Sequence, residues 1–274
     1  MPELPEVETI VRELHEVVVG KTVVRFSVFD VQRIVRPCLS LPQKITAVRR
    51  HGKYIVCDLS GGARCVVHLR MTGELLFAPV VPAKAGTRNP KLPLNQKHER
   101  AAFHFSDGSC LRFVDVRRFG TVEWRKSGDP LPMLGIDPLS QSFSSKAFLH
   151  LSQKSIRPIK SFLLDQQKIA GIGNIYADEA LWHAKIRPSR KTGSLKAPEI
   201  KALVSAIRRV LREGIKKGGF TLRDYRRIDG SFGYYQKSRK VYNREGEKCK
   251  RCHATIRRIK VGGRSSYYCL QCQL

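Results

Sequence analysis

Leu4, Val7, Ile10, Val11, Leu14, Val17 and Val18 recur at three- and four-residue spacing, a pattern that predicts an amphipathic helix at the start of the chain. Gly20 follows as its C-cap. Beyond it the period shortens to two, in runs bounded by Gly or Asp: "TVVRFSVFD", "KYIVCDLSGG", "ARCVVHLRM", "GELLFAPV", "AAFHFSDGSC" and "LRFVDV". Short strands at such close spacing predict an antiparallel sandwich or barrel. Residues 80 to 97, rich in Pro, Lys and Asn, read as a long connecting loop. From about residue 130 the pattern changes again. "SGDPLPMLGIDPLS" reads as a linker, and "SKAFLHLSQ", "SIRPIKSFLLDQ", "NIYADEALWHAKI" and "PEIKALVSAIRRVLREGIKKG" read as amphipathic helices. A glycine-containing turn, "QKIAGIGN", separates the second of these from the third. The change of period places a domain boundary near residue 135.

The chain has 274 residues, enough for one large or two ordinary domains, and 42% of them are hydrophobic, enough for a packed core. Its charge is lopsided, with 51 Lys and Arg against 23 Asp and Glu, a formal net charge of +28. An excess of that size implies a polyanionic partner, nucleic acid first, with an acidic membrane surface as the competitor. No apolar run is long enough to span a bilayer, and the acidic N-terminus is unlike a signal peptide, so a cytoplasmic, nucleoid-associated protein is expected.

The chain contains eight cysteines. Cys38, Cys57, Cys65 and Cys110 stand among apolar residues and read as small buried hydrophobes of a reducing compartment. The other four form two pairs, Cys249 with Cys252 and Cys269 with Cys272, each a CxxC. That spacing suits one tetrahedral zinc ion, which four thiolates would hold in a closed, structural site; disulfides or a redox motif fit a reducing compartment less well. His253 adjoins Cys252, but two complete pairs do not need it as a ligand. Residues 237–264 carry eleven Lys or Arg and two acidic residues. A zinc-pinned hairpin of that charge suits phosphate binding, with Arg264 on its turn as a bidentate donor or as one more solvated arginine.

The opening "MPELPEVE" has two readings. Pro2 and Pro5, with Glu3, Glu6 and Glu8, are ordinary helix-start residues. Once Met1 is removed, however, Pro2 presents a secondary amine, a nucleophile suited to Schiff-base chemistry.

The ordered set "PELPEVET", "HGKYI", "HLRMTGEL", "DVRRFG", "IKSFLLDQQKIAGIGNIYADEAL", "GGFTLRDY" and the paired CxxC motifs resembles the formamidopyrimidine-DNA glycosylase family over nearly the whole chain. The resemblance implies an α+β protein. A β-sandwich flanked by an N-terminal helix would occupy residues 1–134, a helix-two-turn-helix domain 135–236, and a four-cysteine zinc-finger hairpin 237–274. It implies a monomeric base-excision repair enzyme acting on double-stranded DNA, which excises oxidised purines and cleaves the resulting abasic site. In this reading Pro2 is the nucleophile and Glu3 the general acid at the sugar ring oxygen, with Glu6 in support. Lys53 binds phosphate and donates a proton in β-elimination, and Arg264 serves the second, δ-elimination. Met71, Arg117 and Phe119 fill the stack behind the extruded nucleotide. His68, His98, Arg117 and Asn174 contact DNA, and Lys160 contacts the flipped base. One stretch departs from the family: after "TLRDY" and one more residue, Arg227 and Ile228 stand where members usually carry asparagine and alanine, which bears on lesion preference rather than chemistry. Two other readings are an endonuclease VIII-like enzyme for oxidised pyrimidines, against which the "PELPEVET" opening argues, and a non-catalytic zinc-dependent DNA- or RNA-binding protein.

Overall fold

A computed structural model describes residues 1–35, 37, 39–80 and 96–274. Most of the long loop read at 80–97, and Cys38 with its reading as a buried hydrophobe, lie outside the described residues. The chain divides into two compact units: residues 1–131 with 217–234, and residues 132–216 with 235–274.

In the first unit, helix α1 (Leu4–Val18) is followed by β1 (Thr22–Val28), β2 (Gln43–His51), β3 (Tyr54–Leu59), β4 (Arg64–His68), β5 (Gly73–Ala78), β6 (Glu99–Phe105), β7 (Cys110–Asp115) and β8 (Thr121–Arg125). All strand pairings are antiparallel, in the order β5-β7-β6-β1-β2-β3-β4-β8. At the middle of this series β1 meets β2 only at Thr22↔Lys44 and Val23↔Gln43, and there the sheet turns over on itself. Phe26 and Phe103 on one half touch Trp124 on the other, with ring centroids 5.1 and 6.0 Å apart. The result is the expected sandwich. Leu14, Ile55, Val67, Phe113 and Val122, each at most 2% exposed, fill its interior.

Helix α1 lies on this core through Val7, Ile10, Leu14 and Val18, all fully buried. Its period of about 3.6 keeps these side chains on one stripe. Gly20 adopts φ +88 just past the helix, the left-handed conformation that glycine reaches without steric cost. Strands β2 and β8 do not stand out in the hydrophobic pattern. In β2 only Ile45 and Val48 are buried, and a bulge between Ile45 and Ala47 breaks its alternation. β8 alternates regularly but is five residues long.

The second unit contains α2 (Ser145–Ser152), α3 (Ile159–Leu163), α4 (Asn174–Ala184), α5 (Ala197–Lys216) and the hairpin of β9 (Ile256–Val261) and β10 (Arg264–Cys269). The helix expected across "SIRPIKSFLLDQ" shrinks to five residues. Pro158 takes the N-cap position at ψ 140, outside the helical region, so α3 starts only at Ile159. Between α3 and α4, the Gln166 side chain donates to Leu164 O and Ile172 O, both at 2.9 Å, and accepts from Gly171 N at 2.9 Å. One amide thus holds the turn that joins the two helices. The hairpin turns at Gly262 and Gly263, with φ +55 and +76, the pair of positive values that a two-residue type I′ loop needs.

Two placements differ from the sequence reading. Residues 217–234, expected to continue the helical domain, pack with α1 and β5 in the first unit, because their backbone and side chains bond to carboxylates of α1. Arg264 opens β10, paired with Val261, rather than sitting within the turn.

Candidate functional site

Pro2 is buried directly before α1, and Glu3 caps that helix. Glu3 and Glu6 are 3% and 1% exposed. The Glu3 N–H donates to Glu6 Oε2 at 2.7 Å, and the Phe220 N–H donates to Glu6 Oε1 at 2.7 Å. Glu6 therefore joins the end of the chain that carries Pro2 to the segment 217–234. Gly219 makes this approach possible, since a Cβ there would lie 2.8 Å from Tyr225 Cε1 and 2.9 Å from Glu6 Cγ, at φ +88. Two turns further along α1, the Glu13 carboxylate receives the Arg227 guanidinium and the Ile228 N–H. Ile228 is buried in the sandwich core, and its carbonyl accepts from Phe77 N at 2.9 Å. Arg227 and Ile228 thus help to fasten this segment to α1 and β5.

Lys53 lies in the two-residue turn between β2 and β3, with Gly52 at φ +60 as the first turn residue. Lys53 is 6% exposed. Beside it is His68, paired across the strands with Tyr54 and packed edge-on against the Tyr54 ring at 4.5 Å. Burial, followed by the nearby charges of Arg70 and Lys53, lowers the His68 pKa to about 4. Its Nδ1 accepts from Arg70 N at 3.0 Å, so the neutral ring carries its proton on Nε2 and can donate there. His68 is buried rather than displayed on the surface. His98 is half-buried ahead of β6, with Nδ1 3.4 Å from the Arg100 guanidinium.

The two turns that carry Met71, Arg117 and Phe119 meet, the Arg117 N–H donating to Thr72 Oγ1 at 3.2 Å. Leu69 to Gly73 form the turn from β4 to β5, and Asp115 to Gly120 the turn from β7 to β8. The strand register brings Gly73 opposite Asp115. Met71 and Phe119 are 41% and 43% exposed, unusual for large apolar side chains, and the Arg117 guanidinium lies over the Phe119 ring at 4.8 Å. An exposed cluster of this kind marks a contact surface more readily than a packing defect.

In the second unit Asn174 is the first residue of α4, and its Oδ1 is buried without a hydrogen-bond partner. Lys160, expected to meet a flipped base, is instead fully buried. Its Nζ lies 2.7 Å from Asp178 Oδ1 and donates to Ser265 O at 2.6 Å. The other Asp178 oxygen accepts from Tyr267 N at 3.0 Å. The pair therefore binds two backbone groups of β10, within three residues of Arg264. Glu179, also fully buried, accepts from the N–H groups of Lys240, Val241 and Tyr242 at 2.7 to 2.9 Å. Neither acid was singled out in the sequence, although two adjacent carboxylates amid the apolar residues of "NIYADEALWHA" are a signal for such a role.

The Sγ atoms of Cys249, Cys252, Cys269 and Cys272 lie within 4.8 Å of one another. Two of the separations are 4.0 Å (Cys249 to Cys272) and 3.4 Å (Cys252 to Cys269). Zn–S bonds of about 2.3 Å in a tetrahedron set an S···S edge of about 3.8 Å, so the donor set fits zinc. The Trp182 indole donates to Cys249 Sγ at 3.4 Å, an outer contact of the kind that orients a thiolate. His253, at φ +63, donates its backbone N–H to Cys249 O and is not in the cluster. With four thiolates the site is closed to water and its zinc structural.

One unit is a sandwich whose first helix begins at a buried proline and two buried carboxylates, and the other is helical and ends in a hairpin with a four-cysteine site that fits zinc. The comparisons agree. Residues 1–122 match the family model of the formamidopyrimidine-DNA glycosylase N-terminal domain, residues 134–226 that of its H2TH domain, and residues 246–274 a zinc finger found in FPG and IleRS. The formamidopyrimidine-DNA glycosylase of Ruegeria pomeroyi is 40% identical over 100% of both chains. The crystal structure of the MutM (Fpg) protein of Thermus thermophilus superposes with a TM-score of 0.87 at 39% identity, covering 99% of this chain and 98% of that one. A Lactococcus lactis FPG mutant in complex with a Fapy-dG containing DNA superposes with a TM-score of 0.87 at 35% identity, covering 99% of each chain. This chain belongs to the formamidopyrimidine-DNA glycosylase family. Among the described residues no helix is long and apolar enough to cross a membrane.

Proposed function

We propose that this chain is a bifunctional DNA glycosylase and abasic-site lyase that removes oxidised purines, 8-oxoguanine and formamidopyrimidines, from duplex DNA. The observation that carries the reading is the burial of Pro2, Glu3 and Glu6 together at the first turn of α1 in a member of this family. In the encoded chain the Pro2 nitrogen is an amide and has no nucleophilic pair to offer. Removal of Met1, which is 47% exposed, turns it into a secondary amine. That amine attacks C1′ of the damaged nucleotide, the glycosidic bond breaks, and its electron pair leaves with the base. Glu3 protonates O4′ as the sugar ring opens. The product is an iminium ion, permanently cationic because proline nitrogen has no second proton to lose. It draws electrons from C2′, whose proton leaves as the 3′ C–O bond breaks, with Lys53 supplying a proton to the departing phosphate side. A second elimination, assigned to Arg264, releases the 5′ phosphate.

Duplex DNA buries C1′ within the stack, so the nucleotide has to be extruded. Met71, Arg117 and Phe119 are the residues proposed to fill the space it leaves. The charge of +28 supplies the phosphate contacts. A solved relative bound to a Fapy-dG containing DNA supports the lesion class. Four cysteines hold zinc to fix the hairpin that carries Arg264; no step of the chemistry passes through the metal.

The test is incubation with a duplex that bears one 8-oxoguanine opposite cytosine, comparing wild type with Pro2→Gly. Wild type should release the base and cut the strand on both sides of the lesion. The variant should bind the duplex and leave it intact. Wild-type rates from Pro2→Gly would overturn the mechanism, and no release of any oxidised base by the mature protein would overturn the function.

A further inference from the structure

Asp115 is fully buried at the end of β7, between the two turns that carry Met71, Arg117 and Phe119. Its side chain binds both turns. Oδ1 accepts from Thr72 Oγ1 at 2.5 Å and from Arg117 N at 3.2 Å, while Oδ2 accepts from Gly120 N at 2.7 Å. Thr72 Oγ1 in turn accepts from Arg117 N at 3.2 Å, so Thr72, next to Met71, closes a ring of hydrogen bonds with Asp115 and Arg117. Both turns are tightly constrained. Arg70 and Arg118 adopt φ +53 and +56. A Cβ on Gly73 would lie 2.4 Å from Leu69 O, and one on Gly120 would lie 2.5 Å from Phe113 Cζ and 3.1 Å from Asp115 Oδ2. The Asp115 carbonyl accepts from Arg100 Nε at 2.8 Å, which anchors the carboxylate's own backbone to β6.

No function so far assigned accounts for a buried acid here. Two separate turns, each linking strands that are not paired with one another, would ordinarily move separately, and three exposed side chains on them would hold no common geometry. A single carboxylate with three donors drawn from both turns removes that freedom. We propose that Asp115, acting with Thr72, is the positioning residue of the surface formed by Met71, Arg117 and Phe119, and that it sets the efficiency with which a stacked base is extruded. The inference rests on the wedge role given to those three residues above. Asp115 touches no reacting atom; it acts through the alignment of the side chains that enter the stack, where misplacement by about 1 Å can cost on the order of 100-fold in rate.

Two substrates separate positioning from general structure. In a duplex with 8-oxoguanine opposite cytosine, a base must leave the stack before chemistry. In the same duplex with a preformed abasic site, no base has to leave. Asp115→Asn and Thr72→Val should slow single-turnover excision from the first by roughly 10- to 100-fold and leave strand cleavage of the second unchanged. The fluorescence rise of a 2-aminopurine beside the lesion, which reports unstacking, should slow by the same factor as excision. Thr72→Ser, which keeps the hydroxyl, should restore both. An equal fall on the two substrates would make Asp115 a merely structural residue and overturn the proposal, as would undiminished excision by both variants. Wild-type protein inactive on both duplexes would instead overturn the functional reading, and the proposal with it.

Discussion

The Glu6 carboxylate accepts the Phe220 N–H at 2.7 Å across 214 positions of sequence. This contact holds the segment 217–234 against the helix that begins beside Pro2, and it exists only because Gly219 leaves room for it. Gly219→Ala places a methyl group within 3 Å of both Tyr225 and Glu6 at a left-handed φ. The substitution is expected to cost about 1–3 kcal/mol of stability, read as a fall in denaturant midpoint. Base excision should fall further than that loss explains, since the displaced group is Glu6 itself. A Gly219→Ala variant with wild-type stability and activity would show that the approach is not needed.

Lys160 and Asp178 make a buried pair that grips β10. Burial raises the Asp178 pKa to about 7 even with Lys160 beside it, so removal of the lysine leaves an acid with poor alternatives. Lys160→Met should destabilise the protein by about 3–5 kcal/mol, while Lys160→Met combined with Asp178→Leu should recover much of that. Equal destabilisation by the single and double variants would contradict the pairing.

His68 gives a pH dependence with a definite sign. Its folded pKa of about 4 lies below the ordinary value of 6.5, so between these values the unfolded chain binds the extra proton. The stabilising contribution is complete above about pH 6.5 and is lost as pH falls towards 4, amounting to about 3 kcal/mol at most. His68→Asn keeps an acceptor for Arg70 N but does not titrate. Urea melts of the two proteins should diverge in slope over that window and run parallel above it. Parallel behaviour throughout would place a neutral imidazole in doubt.

Chelation of zinc is expected to loosen the 246–274 segment, because the four thiolates tie its two knuckles together. Trp182 reports this directly, since its indole donates to Cys249 Sγ and carries the Arg251 guanidinium 3.9 Å above its ring. Its emission should shift to longer wavelength on metal removal, with loss of DNA binding. Unchanged emission would contradict a metal-dependent hairpin.

The features legible in the sequence are local ones. The zinc site is written in two CxxC pairs because each knuckle needs only adjacent residues. Helix α1 and most sandwich strands follow from their periods. β2 escaped because its bulge and its Lys and Arg residues hide two inward positions, Ile45 and Val48. Pro158 cut α3 short, although the apolar period runs through it. The remainder is tertiary. Nothing near Asp115 in the chain announces that its carboxylate will tie Thr72 to Gly120, and nothing near Lys160 reveals that it turns inward to Asp178. The residues of the first turn were recognisable, whereas the partner that fixes Glu6 comes from a segment more than 200 residues away.

Covalent capture tests the central claim most directly. Mature protein, freed of Met1, is mixed with duplex DNA that carries an abasic site, reduced with borohydride, digested and mapped by mass spectrometry. The deoxyribose remnant should be found on the N-terminal peptide, attached to the Pro2 nitrogen. A remnant attached to Lys53 or any other lysine, with the N-terminal peptide unmodified, would contradict the mechanism.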